Sequence, residues 1–199
     1  YLHTFDGGKT WSRLPSFDKG AIIAVHFLDT LTGVVAINNG ANNPSIYTTS
    51  DGGKSFLQKA NLIGSVGFYN AASYGNEKFR AFQAGTGRVF SNLNLSGDID
   101  STSPIPDVDV TNLYWFQGCE FSGDTIIAYG YYSSDGTFNT PNTEGIIARS
   151  SDGGKTWSSI QHFPQFYMLF SGTIPNRDTV IVAGGSSLQK PMYVQSIDN

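Results

Sequence analysis

The sequence predicts an all-β fold built from repeated four-stranded antiparallel units, and three observations carry that expectation. First, an eight-residue motif recurs without gaps as Thr4-Phe5-Asp6-Gly7-Gly8-Lys9-Thr10-Trp11, Thr49-Ser50-Asp51-Gly52-Gly53-Lys54-Ser55-Phe56 and Ser150-Ser151-Asp152-Gly153-Gly154-Lys155-Thr156-Trp157. Second, the copies are phased, with Asp51 lying 45 residues after Asp6, a period typical of stacked supersecondary units. Third, the 199 residues include 23 Gly, 10 Tyr and 14 Phe, a composition suited to short strands joined by tight turns.

The residue types of the motif explain one another. An apolar stretch such as Ile46-Tyr47 or Ile146-Ile147 precedes it, so the motif closes a hairpin. The carboxylates of Asp6, Asp51 and Asp152 can accept backbone N–H bonds from the turn, and Gly8, Gly53 and Gly154 supply the positive φ that a tight hairpin needs. The hydroxyls of Thr10, Ser55 and Thr156 can bond neighbouring backbone groups, and Trp11, Phe56 and Trp157 can pack back onto the preceding strand or the next repeat. These twelve residues are expected to be structural.

The spacing exposes two weaker copies. Asn94 stands in the aspartate position 43 residues after Asp51, and Ser196-Ile197-Asp198-Asn199 begins a fifth copy 46 residues after Asp152. The 58-residue step from Asn94 to Asp152 is longer, and its surplus sits in the polar stretch 131–144, an expected enlarged loop. Alternating apolar residues then predict strands at 22–28, 33–37, 45–49 and 54–59, at 67–74, 78–83, 88–92 and near Ile99, at 113–121, 125–131, 145–150 and 155–160, and at 166–172, 179–183 and 191–196. The units run approximately 1–14 (partial), 21–60, 65–105, 111–160 and 163–199 (partial), a single domain with no convincing helix. The expected architecture is a β-propeller of about four blades that forms part of a larger propeller. A closed four-bladed ring, with the N-terminal strands completing the last blade, is the alternative.

The motif resembles the Asp-box, or BNR, repeat of sialidase-like β-propellers, and through its spacing the resemblance covers essentially the whole chain. Ala24-Val25-His26-Phe27-Leu28-Asp29, Gly33-Val34-Val35-Ala36 and Ile46-Tyr47-Thr48-Thr49-Ser50-Asp51-Gly52-Gly53 are most similar in phrasing to the repeats of photosystem II assembly factors and of secreted bacterial propellers. The resemblance implies that the aspartate turns lie on the blade periphery, away from the ligand-binding face. It implies no single activity, because sialidases, xyloglucanases, sortilin-type receptors and non-catalytic assembly factors share the repeat.

Composition narrows the partners. With 12 Lys and Arg against 16 Asp and Glu and a net charge of −4, the chain lacks the basic patch that nucleic-acid binding requires. No apolar run reaches membrane-spanning length, so no membrane insertion is expected. The single cysteine, Cys119, cannot form an internal disulfide and has no basic neighbour to activate it. His3, His26 and His162 lack metal-ligand spacing, and no metal or cofactor is expected.

An enzyme reading must find its residues in a workable arrangement. A sialidase needs an arginine cluster, a tyrosine–glutamate pair and an acid, but Arg13, Arg80, Arg88, Arg149 and Arg177 are scattered, and Ile174-Pro175-Asn176-Arg177 is better taken as a turn. A glycosidase needs two facing carboxyls, for which Asp18, Asp107, Asp109, Asp135 and Glu144 are loop candidates and Glu120 an inner-strand one. The loop face also carries amides and aromatics suited to sugars or peptides. Its candidate ligand-binding residues are Asn42, Asn43, Arg88, Tyr131, Tyr132, Glu144 and His162. The expected function is a non-catalytic platform that binds a protein or glycan in an extracytoplasmic or lumenal assembly. A glycoside hydrolase is the alternative.

Overall fold

The computed structural model describes residues 2–4, 6–13, 20–38, 44–61, 68–73, 79–83, 89–91, 100–101, 105–106, 114–136, 142–176, 179–186 and 190–197. Strands β1 (Leu2–His3) and β2 (Ser12–Arg13) pair across the first Asp-Gly-Gly turn. Strands β3 (Ala21–Phe27), β4 (Gly33–Asn38), β5 (Pro44–Thr49) and β6 (Leu57–Asn61) form a four-stranded sheet in chain order. The same order recurs in β7 (Phe68–Ser73), β8 (Phe79–Gln83), β9 (Val89–Ser91) and β10 (Asp100–Ser101), and again in β11 (Tyr114–Ser122), β12 (Thr125–Ser133), β13 (Thr143–Ser150) and β14 (Gln161–Phe163). Strands β15 (Met168–Asn176), β16 (Thr179–Gly185) and β17 (Pro191–Ile197) form a three-stranded sheet. The protein is all-β, part of a β-propeller whose blades are these antiparallel meanders.

Strand alternation explains how the blades stack. On β12 and β13, Ile126, Ala128, Ile146 and Ala148 face one way and pack with Phe116, Cys119 and Ile105. Their neighbours Ile127, Tyr129 and Ile147 face the other way, against Leu169 and Val182 of the last sheet and Phe166 just before it. Both faces of the blade are therefore buried, and each fully covered Ile contributes roughly 1.5–3 kcal/mol. The first strands of successive sheets approach one another, β3 with β7, β7 with β11 and β11 with β15, which makes them the innermost strands.

Each of those four inner strands carries an extra residue against its partner at one shared place, and β15 carries a second between Thr173 and Asn176. The register skips Ile23 between Ile22 and Ala24, Tyr69 between Phe68 and Asn70, Gln117 between Phe116 and Gly118, and Phe170 between Leu169 and Ser171. Such a bulge bends a strand and increases its twist, and here it falls at the corresponding place in every blade.

Three boundaries differ from the sequence expectation. The fourth strand expected at 155–160 pairs only at Gln161–Phe163, because the Ser158 hydroxyl accepts the Arg149 N–H at 3.1 Å in place of a ladder carbonyl. The loop expected at 131–144 is shorter, since β12 runs through Ser133 and β13 starts at Thr143. Ile174, Pro175 and Asn176 belong to β15 rather than to a turn. The weaker motif copies at Asn94 and Asp198 lie outside the described residues.

Candidate functional site

The three Asp-Gly-Gly turns share one hydrogen-bond plan. Asp6, Asp51 and Asp152 each accept, on Oδ1, the backbone N–H of the residue four positions on (Thr10, Ser55, Thr156) at 2.9 Å. On Oδ2 they accept that residue's hydroxyl at 2.6, 2.5 and 2.6 Å. The hydroxyls of Thr4, Thr49 and Ser150 donate to the same Oδ1 and accept from Gly8, Gly53 and Gly154 at 2.9, 2.9 and 2.8 Å. Those donated bonds, led by the hydroxyl, hold each carboxyl at about 2, below its ordinary 3.8. Both carboxylate oxygens of each aspartate thus accept hydrogen bonds from within the turn. The first glycine of two turns also donates across the blade, Gly52 to Leu31 O and Gly153 to Asp124 O at 2.9 Å, so the aspartate turns share an end with the hairpins that join first and second strands.

The opposite end of the third sheet gathers a different set of residues. Tyr114 starts β11, Tyr132 lies near the end of β12 and Glu144 near the start of β13, and the ladders place Tyr114 opposite Tyr132 and Tyr132 opposite Glu144. The Tyr114 and Tyr132 rings lie with centroids 4.6 Å apart and tilted by 43°. His162 on β14 meets both edge-on, at 5.9 Å and 5.3 Å, and its Nδ1 contacts Glu144 Oε1 at 2.5 Å. His162 and Glu144 keep 33% and 23% of their side-chain exposure, so the polar edge of this aromatic patch reaches solvent. Two ring faces beside a carboxylate–imidazole pair can stack on a ligand and exchange hydrogen bonds with its hydroxyls or amides.

The chain that leaves this patch is clasped at its base. Asn142 Nδ2 donates to Asp135 Oδ2 at 2.6 Å, the Ser133 hydroxyl donates to Asp135 Oδ1 at 3.2 Å, and Ser134 N donates to Asn142 O at 2.9 Å. Those bonds continue the β12–β13 ladder beyond the blade body and hold Tyr132 and Glu144 side by side.

Of the sequence candidates, Tyr132, Glu144 and His162 come together. Tyr131 does not join them: it is buried, at 7% exposure, and pairs with Trp115 and Gly145, because consecutive strand residues point to opposite faces. Asn42, Asn43 and Arg88 lie outside the described residues. Tyr114 was missed by sequence reasoning, although its position at the start of a predicted inner strand, facing 131–132 across one hairpin, was the available signal.

Other titratable groups lie elsewhere. Cys119 is fully buried, and burial pushes its thiol well above the ordinary range. Burial also raises the Glu120 carboxyl and, with Glu120 nearby, pushes the Tyr129 phenol up to about 12. Burial lowers His26. Among the described residues no group of three or more His, Cys, Asp or Glu side chains is placed to hold a metal ion, and no helix is long and apolar enough to cross a membrane.

No protein-family model matches the chain. A probable oligoxyloglucan-reducing end-specific xyloglucanase of Neosartorya fischeri is 22% identical to it over 212 residues, covering 97% of this chain and 23% of that protein. Among solved structures, the GH74 enzyme of Niastella koreensis superposes with a TM-score of 0.71 at 18% identity, across 100% of this chain and 33% of that one. The α-L-arabinanase of Penicillium chrysogenum complexed with arabinobiose superposes at 0.54 with 13% identity, across 87% of this chain and 61% of that one. The chain therefore spans about a quarter of its curated relative and a third of the enzyme it superposes on at 0.71. At these identities the structural likeness establishes the β-propeller fold and nothing narrower.

Proposed function

We propose that this chain is a segment of a non-catalytic Asp-box β-propeller platform that binds a partner on the end away from the aspartate turns, in an extracytoplasmic or lumenal assembly. Of protein and glycan, the chemistry of the patch favours a glycan. The observation that carries this reading is the Tyr114–Tyr132–His162 cluster with Glu144 against the imidazole. Aromatic faces suit the apolar face of a sugar ring, while a carboxylate and an imidazole at the rim accept and donate to its hydroxyls. Calorimetric titration with neutral oligosaccharides tests it. Wild type is expected to bind, and Tyr132→Ala to weaken binding roughly tenfold. A silent wild type, or an unaffected Tyr132→Ala, refutes it.

A glycoside hydrolase is the second reading, favoured by the 22% likeness to a xyloglucanase along 97% of the chain. It needs a pair of carboxyls flanking one bond. Glu144 meets the cluster, but Asp135 is already engaged by Asn142 and Ser133. A hydrolytic site would therefore draw its second carboxyl from beyond this cluster. Release of reducing sugar that Glu144→Gln abolishes would establish the hydrolase in place of the platform.

A further inference from the structure

The tyrosine patch carries a charge, and the ladder shows which face holds it. Tyr114, Tyr132 and Glu144 are cross-strand partners in one row, and His162 pairs with Ile146, two residues beyond Glu144. Residues two apart on a strand share a face, so all four side chains lie on the face whose core holds Ile146, Phe116 and Ile105. The last sheet packs on the other face. Glu144 meets His162 Nδ1 through Oε1, and among the described residues neither Glu144 Oε2 nor His162 Nε2 has a hydrogen-bond partner. Described counter-charges are remote. Arg149 stands five residues beyond Glu144 on β13, about 17 Å at the rise of a strand and well past a Debye length of about 8 Å. Lys190 precedes β17 of the last sheet, on the far side of the blade. Asp135, clasped beyond the end of β12, adds a second charge of the same sign. With the imidazole neutral, the patch sets a net negative charge beside two phenol rings.

We infer that the glycan this patch prefers carries an amine, a glucosamine-type sugar whose ammonium group lies against Glu144 Oε2 and the tyrosine rings. The inference rests on the reading that the Tyr114–Tyr132 patch binds a glycan. Glu144 keeps 23% of its side-chain exposure, and a ligand that covers it removes the remaining water. A sugar hydroxyl replaces that water with a hydrogen bond but leaves the charge uncompensated. An ammonium donates the same hydrogen bond and cancels the charge. The phenol rings act in the same sense, because the ring quadrupole attracts a cation. His162 Nε2 is left to exchange a hydrogen bond with a neighbouring hydroxyl. A uronic acid would meet Glu144 as a like charge, so the same carboxylate also excludes acidic glycans.

The test compares sugars that differ in charge and in little else. Hexamers of β-linked glucose, N-acetylglucosamine and glucosamine, which differ at the second carbon of each ring, are titrated at neutral pH against wild type and Glu144→Gln. Wild type should bind the glucosamine hexamer about tenfold more tightly than either neutral one, by a margin that narrows as salt is added. Glu144→Gln keeps the side-chain length and an oxygen for His162, so its denaturant midpoint should match that of wild type and show that it is folded. In this variant the three affinities should fall within about twofold of one another. A glucosamine hexamer bound no more tightly than the glucose hexamer, or a preference that survives Glu144→Gln, overturns the amine preference and leaves the glycan reading standing. A lysine hexapeptide bound as tightly as the glucosamine hexamer assigns the site to a peptide amine and overturns the proposal. No binding of any hexamer by wild type removes the glycan reading, and this proposal with it.

Discussion

At the level of single residues, the turn motif shows how far local chemistry can be read from a sequence. Two glycines after each aspartate announced positive φ, and Gly153 and Gly154 sit at 76° and 88°. Replacing Gly154 by Ala should cost about 1–2 kcal/mol, measured by denaturant unfolding, whereas a loss below a few tenths would show that the turn relaxes. The aromatic position is subtler. Trp11 Nε1 donates to Gly8 O at 3.0 Å, but Trp157 Nε1 is buried with no partner while its ring covers the core of the third blade. An unsatisfied buried donor is a penalty, and Phe56 already fills the corresponding place in the second turn. Trp157→Phe should therefore leave stability unchanged or slightly raised, and Trp157→Ala should cost about 3 kcal/mol. Equal losses for both would mean that the indole nitrogen has a partner after all.

At the level of strands, the hydrophobic alternation was legible and the bulges were not. Period-two patterns located most strands because one side chain in two must face a neighbouring blade. An inserted residue such as Gln117 or Phe170 changes that phase by one position without altering composition, so only the register exposes it. In the third and last sheets its mark in the sequence is the glycine across the strand. A Cβ at Gly130 would stand 2.0 Å from Trp115 O, and one at Gly184 would stand 2.1 Å from Met168 O. Gly130→Ala and Gly184→Ala should each cost about 3 kcal/mol through overpacking, read by thermal or denaturant unfolding. Near-neutral behaviour would show that the bulged strand can move away. The clasp at Asp135 belongs to this scale too. Asp135→Ala should weaken oligosaccharide binding at the tyrosine patch while leaving the unfolding midpoint nearly unchanged, and Asp135→Asn, which can still accept from Asn142, should recover most of the affinity.

Across the whole molecule, the scaffold was far more legible than the patch it presents, because each blade writes its turn in contiguous residues while the patch is assembled from four strands. Tyr114, Tyr132, Glu144 and His162 span one entire sheet, and their meeting depends on registers that no local pattern records. The same distribution gives stability a definite pH dependence. Asp6, Asp51 and Asp152 have folded-state values of about 2 against an ordinary 3.8, so the unfolded chain binds protons more readily. Their stabilisation is fully present above about pH 4 and is lost as pH falls through their folded values near 2. Glu120 works in the opposite sense, since its raised carboxyl favours the folded state when protonated and that advantage disappears as pH rises through its folded value. His26, lowered by burial, again favours folding as pH rises, but only nearer its ordinary 6.5. The acid limb is therefore the one the turns dominate. Denaturant midpoints measured from pH 2 to pH 5 should climb steeply for wild type and distinctly less for Asp51→Asn with Asp152→Asn. Parallel curves for the two proteins would mean that these turns do not couple protonation to folding.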